Sequence, residues 1–452
     1  MAGIYRGGVD GAPRLVYPRA MSTAAVLYRG AQRLLRASTP LLGRGGSKVA
    51  RGVAGRRDAS RELAAWARAN RDTARPAAWL HAPSVGEGLQ ARAVLEALLE
   101  LRPGLQSAYT HFSPSAEALA RRMPAGWAGY LPWDLPDEVG PALDALRPGV
   151  LAFTKTEAWP VLTAEAAARG VPVALVGGTV PPGSSRARWP ARAFLRPTWG
   201  RLSLVAAISD ADAEGFRALG VPAGALRVTG DPGIDSAAAR ARSADPAAPY
   251  LRPFHDAPRP TVVAGSTWPS DTAVLLPALS AARKRAPDVR VILAPHEPSE
   301  GVVRGLLSEL EEAGWRAAAL ARVEEGGAEG VDAVVVDRVG VLAHLYTVGS
   351  VAYVGGGFHD AGLHSVLEPA AARLPVVFGP RHANARAASD LLEAGGAREA
   401  ADARGLGDEL AALLADEAAR DYAAGRAFGY IDAHLGAARR TAALLDALMT
   451  AP

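Results

Sequence analysis

The 452-residue chain has no cysteine. That excludes disulfides, thiolate nucleophiles and cysteine-ligated zinc or iron–sulfur centres, and it is compatible with a reducing compartment. Lysine is nearly missing as well. Only Lys48, Lys155 and Lys284 occur among 50 lysines and arginines, so a lysine inside a motif stands out against an arginine background. No apolar run reaches the roughly 20 residues of a membrane-spanning helix, and no signal peptide with a cleavage site is visible. Histidines are scattered, without a His-Glu-x-x-His pair, so no metal cage is expected. Net charge is only +4, and no RNA- or DNA-binding signature accompanies it, so nucleic acid is not an expected partner.

What charge there is sits at one end. Residues 1–57 hold eleven lysines and arginines against one acid, Asp10, which leaves the remainder net acidic. Within that stretch Ala24, Val26, Leu27, Leu34, Leu35, Leu41 and Leu42 are interrupted by Arg29, Arg33 and Arg36, the pattern of an amphipathic helix lying on an anionic membrane surface. A helix packed on the first domain, or a partly disordered arm, fits the same pattern. The Gly- and Pro-rich residues before Met21 are compatible with an upstream start.

Length and an apolar content of 49% suit two α/β domains rather than one core. Strand-like runs are expected at Ala77–His81, Gln106–His111, Val150–Thr154, Val171–Val176 and Leu202–Ile208. They alternate with helical periods at Ser115–Arg122, Glu138–Leu146 and Val161–Arg169 and with a helix opening near Asp210, which makes a doubly wound half. A second series follows, with strands at Thr261–Ala264, Val289–Leu293, Ala333–Val336, Val351–Val354 and Pro375–Phe378. Its helices are expected at Asp271–Lys284, Gly301–Ala313 and Leu342–Tyr346. The expected division is a basic segment 1–60, a Rossmann-like domain 61–237, a linker 238–260 rich in Ala, Arg, Asp and Pro, a second Rossmann-like domain 261–430 and a terminal helix 431–452.

The stretch Trp79-Leu-His-Ala-Pro-Ser-Val-Gly-Glu-Gly88 reads as a buried strand ending in a small-residue turn that sets Glu87 at a helix start. Open α/β sheets place their chemistry there, beyond the carboxyl end of a strand. The bland alternative is capping, since Ser84 and Glu87 have capping-box spacing and the macrodipole favours an acid in the first turn. Lys155 and Glu157 likewise follow a strand; a compact ammonium facing anionic sugar groups and a surface pair between the two residues both fit. In the second half, Gly265-Ser266-Thr267 follows a strand and precedes a helix, so main-chain N–H groups and two hydroxyls can converge on a phosphate. Gly355-Gly356-Gly357 follows another strand, where absent side chains would let a ligand approach the backbone. No dinucleotide fingerprint is present. His296 lies just past a strand in a rigid Pro-His-Glu-Pro run, and Glu368 begins a helix behind His364. Asp210-Ala-Asp212, preceded by Ser209, reads as an ordinary helix N-terminus rather than a metal motif. Trp159 reads as core.

Taken in order, the Glu87 turn, Phe112-Ser113-Pro-Ser115, Tyr130-Leu-Pro-Trp-Asp134, Lys155-Thr-Glu-Ala-Trp-Pro160, Val228-Thr-Gly-Asp231 with Asp235, Ala264-Gly-Ser-Thr267, Ala294-Pro-His-Glu-Pro298, Tyr353-Val-Gly-Gly-Gly-Phe358, His364 with Leu367-Glu368, and Val377-Phe-Gly-Pro380 resemble the 3-deoxy-D-manno-octulosonic acid (Kdo) transferases. The resemblance spans most of the chain. It implies a GT-B fold, two facing Rossmann-like domains with a cleft, and an inverting transfer of Kdo from CMP-Kdo to a lipid A precursor at the cytoplasmic face of the inner membrane. On that resemblance Glu87 is the general base, with Lys155 and Glu157 beside it. Ser84, Gly86, Ser113 and Ser115 face the acceptor. Gly265, Ser266, Thr267, His296, Gly355, Gly356, Gly357, His364 and Glu368 face the donor, Glu368 taking the ribose hydroxyls. CMP leaves as an anion, and no metal or other cofactor is required. Base catalysis near neutral pH would ask that desolvation raise the carboxyl's pKa.

The chain departs from the family pattern at three places. Gly230-Asp-Pro-Gly-Ile-Asp235 lacks the family's cation, His364-Ser365 stands for its His-Asn pair, and Gly177-Gly-Thr-Val-Pro-Pro-Gly183 lacks an expected arginine. Arg186, Arg188 and Arg381 are the available replacements. A related transferase with another nucleotide-activated sugar or acceptor, or a non-catalytic nucleotide- or glycan-binding homologue, also fits these departures.

Overall fold

A computed structural model describes residues 23–43, 47–181 and 183–450. Its first sheet has strands β1 (Ala77–His81), β2 (Gln106–His111), β3 (Trp127–Tyr130), β4 (Val150–Thr154), β5 (Val173–Gly178), β6 (Leu204–Ala207) and β7 (Leu226–Val228). The second has β8 (Thr261–Thr267), β9 (Arg290–Pro295), β10 (Ala317–Ala319), β11 (Ala333–Val335), β12 (Val351–Val354), β13 (Val376–Phe378) and β14 (Ala397–Glu399). The orders are β3-β2-β1-β4-β5-β6-β7 and β10-β11-β9-β8-β12-β13-β14, with every pairing parallel. The chain therefore folds as two Rossmann-like α/β units of the GT-B kind. Central strands such as Ala-Ala-Trp-Leu-His and Val-Leu-Ala-Phe-Thr are buried throughout, as a sheet covered by helices on both faces demands.

Strand order reverses at one place in each sheet, between β1 and β4 and between β8 and β12. At such a switch point the loops leaving two neighbouring strands diverge to opposite faces and open a crevice beyond the strand ends. Glu87 and Lys155 lie on the loops of the first crevice, Gly265–Thr267 and Gly355–Gly357 at the second.

Several elements differ from expectation. β5 runs through Gly177 and Gly178, because a register shift between Leu175 and Gly178 lets Gly178 still pair with Ala207. Residues 115–122 form a 3-10 turn, Pro114–Ala116, and one short helix, Glu117–Ala120, instead of a longer helix. The start of the expected linker is helical: Pro232–Arg242 has proline in its first turn and Asp231 accepting from Gly233 N at 2.7 Å. Its Ile234, Ala237 and Ala238 are buried with Val354 and Phe378 of the second unit, since their spacing gives one apolar stripe. Leu251 and Phe254 of residues 238–260 are buried against β9 and β11.

The chain crosses between units again near its end. Helix Glu417–Ala433 buries Ala427 and Ile431 against the second unit, whereas helix Ala437–Thr450 buries Ala438, Ala442 and Leu445 with Leu80, Val94 and Leu95 of the first. Asp235 fastens this second crossing, its carboxylate accepting from Gly436 N at 2.7 Å and Ala438 N at 2.9 Å.

Candidate active site

The turn after β1 is built from the strand outward. His81 ends β1 fully buried, with its Nδ1 3.0 Å from Thr110 Oγ1 and its Nε2 accepting from Trp159 Nε1 at 3.2 Å. Burial holds this imidazole neutral, its pKa pushed down to about 3. Trp159 is half-buried and packs against the core of the first unit, while its N–H braces the β1 end. Ser84 is the N-cap of helix Val85–Leu101, yet its hydroxyl caps no main-chain N–H; it donates to the Glu87 carboxylate instead. A capping role for the Ser84–Glu87 spacing is therefore not what the structure uses. Gly86 has open space around it.

The loop after β4 meets that turn. Lys155 Nζ lies 3.5 Å from Glu87 Oε1, so the partner of this lysine is Glu87, and the surface pair with Glu157 is not formed. Lys155 holds a left-handed φ of 58°, a conformation that costs a side-chain-bearing residue about 1 kcal/mol or more. Its N–H donates to Val176 O at 2.9 Å. Glu157 is the carboxyl pushed toward neutrality, to about 6. Burial is the main cause; the Arg186 guanidinium opposes it and the Glu87 charge adds to it. Arg186 is thus one arginine whose charge is felt at Glu157, whereas Arg381 is paired with Asp360 and Arg188 is exposed.

Ser113 and Ser115 belong to the same rim. Ser113 N donates to Pro83 O at 2.8 Å, tying the β2 loop to the Glu87 turn, and the two hydroxyls are 2.8 Å apart. Sequence reasoning passed over Gln90 and the role of Asp231. Gln90, one turn beyond Glu87, donates to Asp231 Oδ1 at 2.9 Å, and burial raises the Asp231 carboxyl while Lys155 opposes the rise. Gln90 could have been found by its i+3 spacing from Glu87; Asp231 comes from over 140 residues away, a distance no local pattern bridges.

At the second crevice, Gly265, Ser266 and Thr267 are the last residues of β8 rather than a turn beyond it. A register shift between Gly265 and Thr267, with Ser266 at φ 55°, produces a kink there. Gly355, Gly356 and Gly357 do not clear space for a ligand. A Cβ on them would lie 2.4 Å from Ser266 O, 2.2 Å from Gly362 O and 2.4 Å from Gly379 N; the glycines let three loops touch backbone to backbone. Asp271, read from sequence only as the helix start, fastens this arrangement. Fully buried, its carboxylate accepts from Trp268 N at 2.9 Å, Gly356 N at 2.8 Å, Phe358 N at 3.3 Å and Tyr353 Oη at 2.9 Å.

His296 is not a lone solvated ring. It stacks on Trp268 and on His364, each at 4.5 Å between centroids, and Trp268 also stacks on His359 at 4.2 Å. Glu368 is paired with Arg240 of the Pro232–Arg242 helix. Side chains link the units: Lys48 pairs with Glu297, and Arg386 Nη1 donates to the buried Asp212 carboxylate at 2.6 Å and to Ser209 Oγ at 2.7 Å. Asp212 also receives Val180 N at 2.9 Å and Ser209 Oγ at 2.6 Å, and Ser209 Oγ accepts from Asp212 N at 3.2 Å, the expected N-terminal cap.

The profile of the family described as 3-Deoxy-D-manno-octulosonic-acid transferase (kdotransferase) matches residues 58–236. The 3-deoxy-D-manno-octulosonic acid transferase of Bordetella pertussis is 33% identical over 389 residues, 82% of this chain and 86% of that protein. The protein of the same description from Haemophilus influenzae is 27% identical over 309 residues, 67% and 70% of the two chains. Among solved structures, UDP-GlcNAc 2-epimerase from Neisseria meningitidis bound to UDP-GlcNAc superimposes with a TM-score of 0.55 at 12% identity, covering 79% of this chain and 99% of that one. The UDP-GlcNAc 2-epimerase of Methanocaldococcus jannaschii gives 0.54 at 12% identity, covering 82% and 99%. These structural likenesses concern the fold.

Proposed function

This chain belongs to the 3-deoxy-D-manno-octulosonic acid transferase family and is a glycosyltransferase; from that premise we propose that it moves Kdo from CMP-Kdo to a lipid A precursor with inversion. The observation that carries the reading is the pairing of Glu87 with Lys155 and Ser84 at the first switch point, opposite a second unit whose own switch point holds Gly265–Thr267, His296 and His364.

In this scheme an acceptor hydroxyl lies against Glu87. As its oxygen attacks the anomeric carbon of Kdo, its proton passes to the Glu87 carboxylate and the bond from that carbon to the CMP phosphate breaks, the electron pair leaving with CMP. Ser84 donates to Glu87 and Lys155 balances its charge, which fixes the carboxylate's orientation before the acceptor arrives. Glu157 and Arg186 form the wall behind, and Ser113 and Ser115 offer hydroxyls to the acceptor's polar groups. CMP departs as an anion met by main-chain N–H groups and cations, with no metal ion in the scheme. Among the described residues no helix is long and apolar enough to cross a membrane. We place the enzyme peripherally at the cytoplasmic face of the inner membrane, where helix Thr23–Ala37, carrying Arg29, Arg33 and Arg36, would meet anionic lipid.

The test incubates the protein and its Glu87→Gln variant with CMP-Kdo and a tetraacylated lipid A precursor, following CMP release and lipid mass together. A Kdo-sized mass increase from wild type and not from the variant supports the reading. Equal turnover by the variant removes Glu87 as the base, and a folded wild type that binds CMP-Kdo without turnover redirects the search to other acceptors.

A further inference from the structure

Trp268 and His364 are joined by a hydrogen bond whose direction chemistry fixes. The indole Nε1–H is a donor and never an acceptor, and it lies 3.0 Å from His364 Nε2. That imidazole nitrogen therefore carries no proton, and a neutral His364 must carry its proton on Nδ1. Both partners are held by main chain: Trp268 N donates to Asp271 Oδ2 at 2.9 Å, and His364 N donates to Gly355 O at 3.1 Å. The indole is clamped further by the His359 ring, which lies parallel to it within 6°, and by His296 at 30°.

We propose that Trp268 is a positioning residue that locks His364 as a neutral imidazole protonated on Nδ1, making it a one-directional hydrogen-bond donor to the sugar nucleotide. The proposal rests on the transfer reading, because it takes His364 as a donor-facing group. The surroundings agree with a neutral ring. Burial first, then the neighbouring His296 and His359 rings, push the His364 pKa down to about 4 against the opposing pull of Asp271. The first unit contains the same pairing, Trp159 Nε1 donating to His81 Nε2, but there Nδ1 is taken up by Thr110. Among the described residues no protein acceptor takes the His364 Nδ1–H, so the second pairing leaves its proton for a ligand. The consequence is chemical. His364 recognises oxygen without adding positive charge, and neutralisation of the donor's anionic groups falls to arginine and lysine.

The discriminating substitution is Trp268→Phe, which keeps a stacked ring and removes only the N–H. Histidine nitrogen NMR of the full chain at pH 7, with the His364 signals identified by their loss in His364→Gln, reads the tautomer directly. The expected result is an Nδ1–H imidazole in wild type, a shift toward the Nε2–H form in Trp268→Phe, and a fall in kcat/KM for CMP-Kdo of roughly 3- to 10-fold, the worth of one neutral hydrogen bond. A wild-type His364 that is Nε2-protonated or cationic overturns the proposal even where the variant fails to fold, and so does an unchanged tautomer in a folded variant. The assigned tautomers with no CMP-Kdo turnover by wild type overturn the transfer reading and leave the lock on His364 standing.

Discussion

Lys155 Nζ lies 3.5 Å from Glu87 Oε1, joining the loops that leave β4 and β1 at the point where the first sheet reverses its strand order. The lysine reaches this place through a left-handed backbone, which glycine would adopt without strain. Lys155→Gly and Lys155→Ala should both lose most transferase activity, since each removes the ammonium. They should part in stability, glycine exceeding alanine by about 1 kcal/mol because only alanine keeps the left-handed strain. Urea unfolding of the pair, beside CMP release, decides the matter. Equal stability would mean that the loop relaxes and the strain is not part of the site.

Glu157 gives a pH signature with a definite sign. Its folded carboxyl titrates at about 6, above the roughly 4.3 of an unfolded glutamate. Between these values the folded state holds more protons than the unfolded one. The group's contribution to stability is therefore complete below the lower value and is lost as pH rises through 6. Gln mimics the protonated form, so Glu157→Gln should match wild type in unfolding free energy near the lower value and exceed it at pH 8. A gap independent of pH would show that burial does not perturb this carboxyl.

The glycine loop after β12 separates two roles that a sequence cannot tell apart. Because a Cβ at Gly355 would meet Ser266 O at 2.4 Å, Gly355→Ala should destabilise the second unit by about 1 to 3 kcal/mol through overpacking. The loss should appear in thermal unfolding without any nucleotide present. Unchanged stability with weakened CMP binding would restore the reading in which the glycine makes room for ligand.

Much of this architecture was legible because buried parallel strands write themselves as short apolar runs. β1, β2 and β4 fall at the residues expected, and the Glu87, Lys155 and Glu157 motifs lie at the strand ends that form the first crevice. The parts not legible depend on partners distant in the chain. β3, β10 and β14 are short outer strands whose pairing, not their periodicity, makes them strands. The Pro232–Arg242 helix was hidden in an Ala- and Arg-rich stretch, since its apolar stripe uses alanine and has meaning only against Val354 and Phe378. Gly355–Gly357 look alike in sequence whether they face a ligand or another backbone, and Asp271 reveals its four hydrogen bonds only when β8, β12 and their loops come together. Charge pairing stayed open in the sequence for the same reason: Lys155 chooses Glu87, 68 residues away (155 − 87), over its near neighbour Glu157.

Helix Thr23–Ala37 has two unlike faces. One is anchored: Tyr28 Oη donates to Asp134 Oδ2 at 2.8 Å, and Arg36 Nη1 reaches Asp137 at 2.5 Å and Glu138 at 2.9 Å. The other presents Leu27 and Leu34, 69% and 73% exposed, seven positions apart and so on one side of the helix. A packed-arm reading accounts for the first face and leaves the second in water; the lipid surface proposed above would take the second face, while the first stays on the protein. Changing Leu27 and Leu34 together to Glu should leave thermal unfolding within about 0.5 kcal/mol of wild type, because neither side chain is buried. The same change should weaken sedimentation with vesicles containing phosphatidylglycerol at least about tenfold, since each leucine otherwise enters the apolar layer. Equal vesicle binding by variant and wild type would assign membrane attachment to another part of the chain. A large loss of stability would mean that these leucines pack against protein.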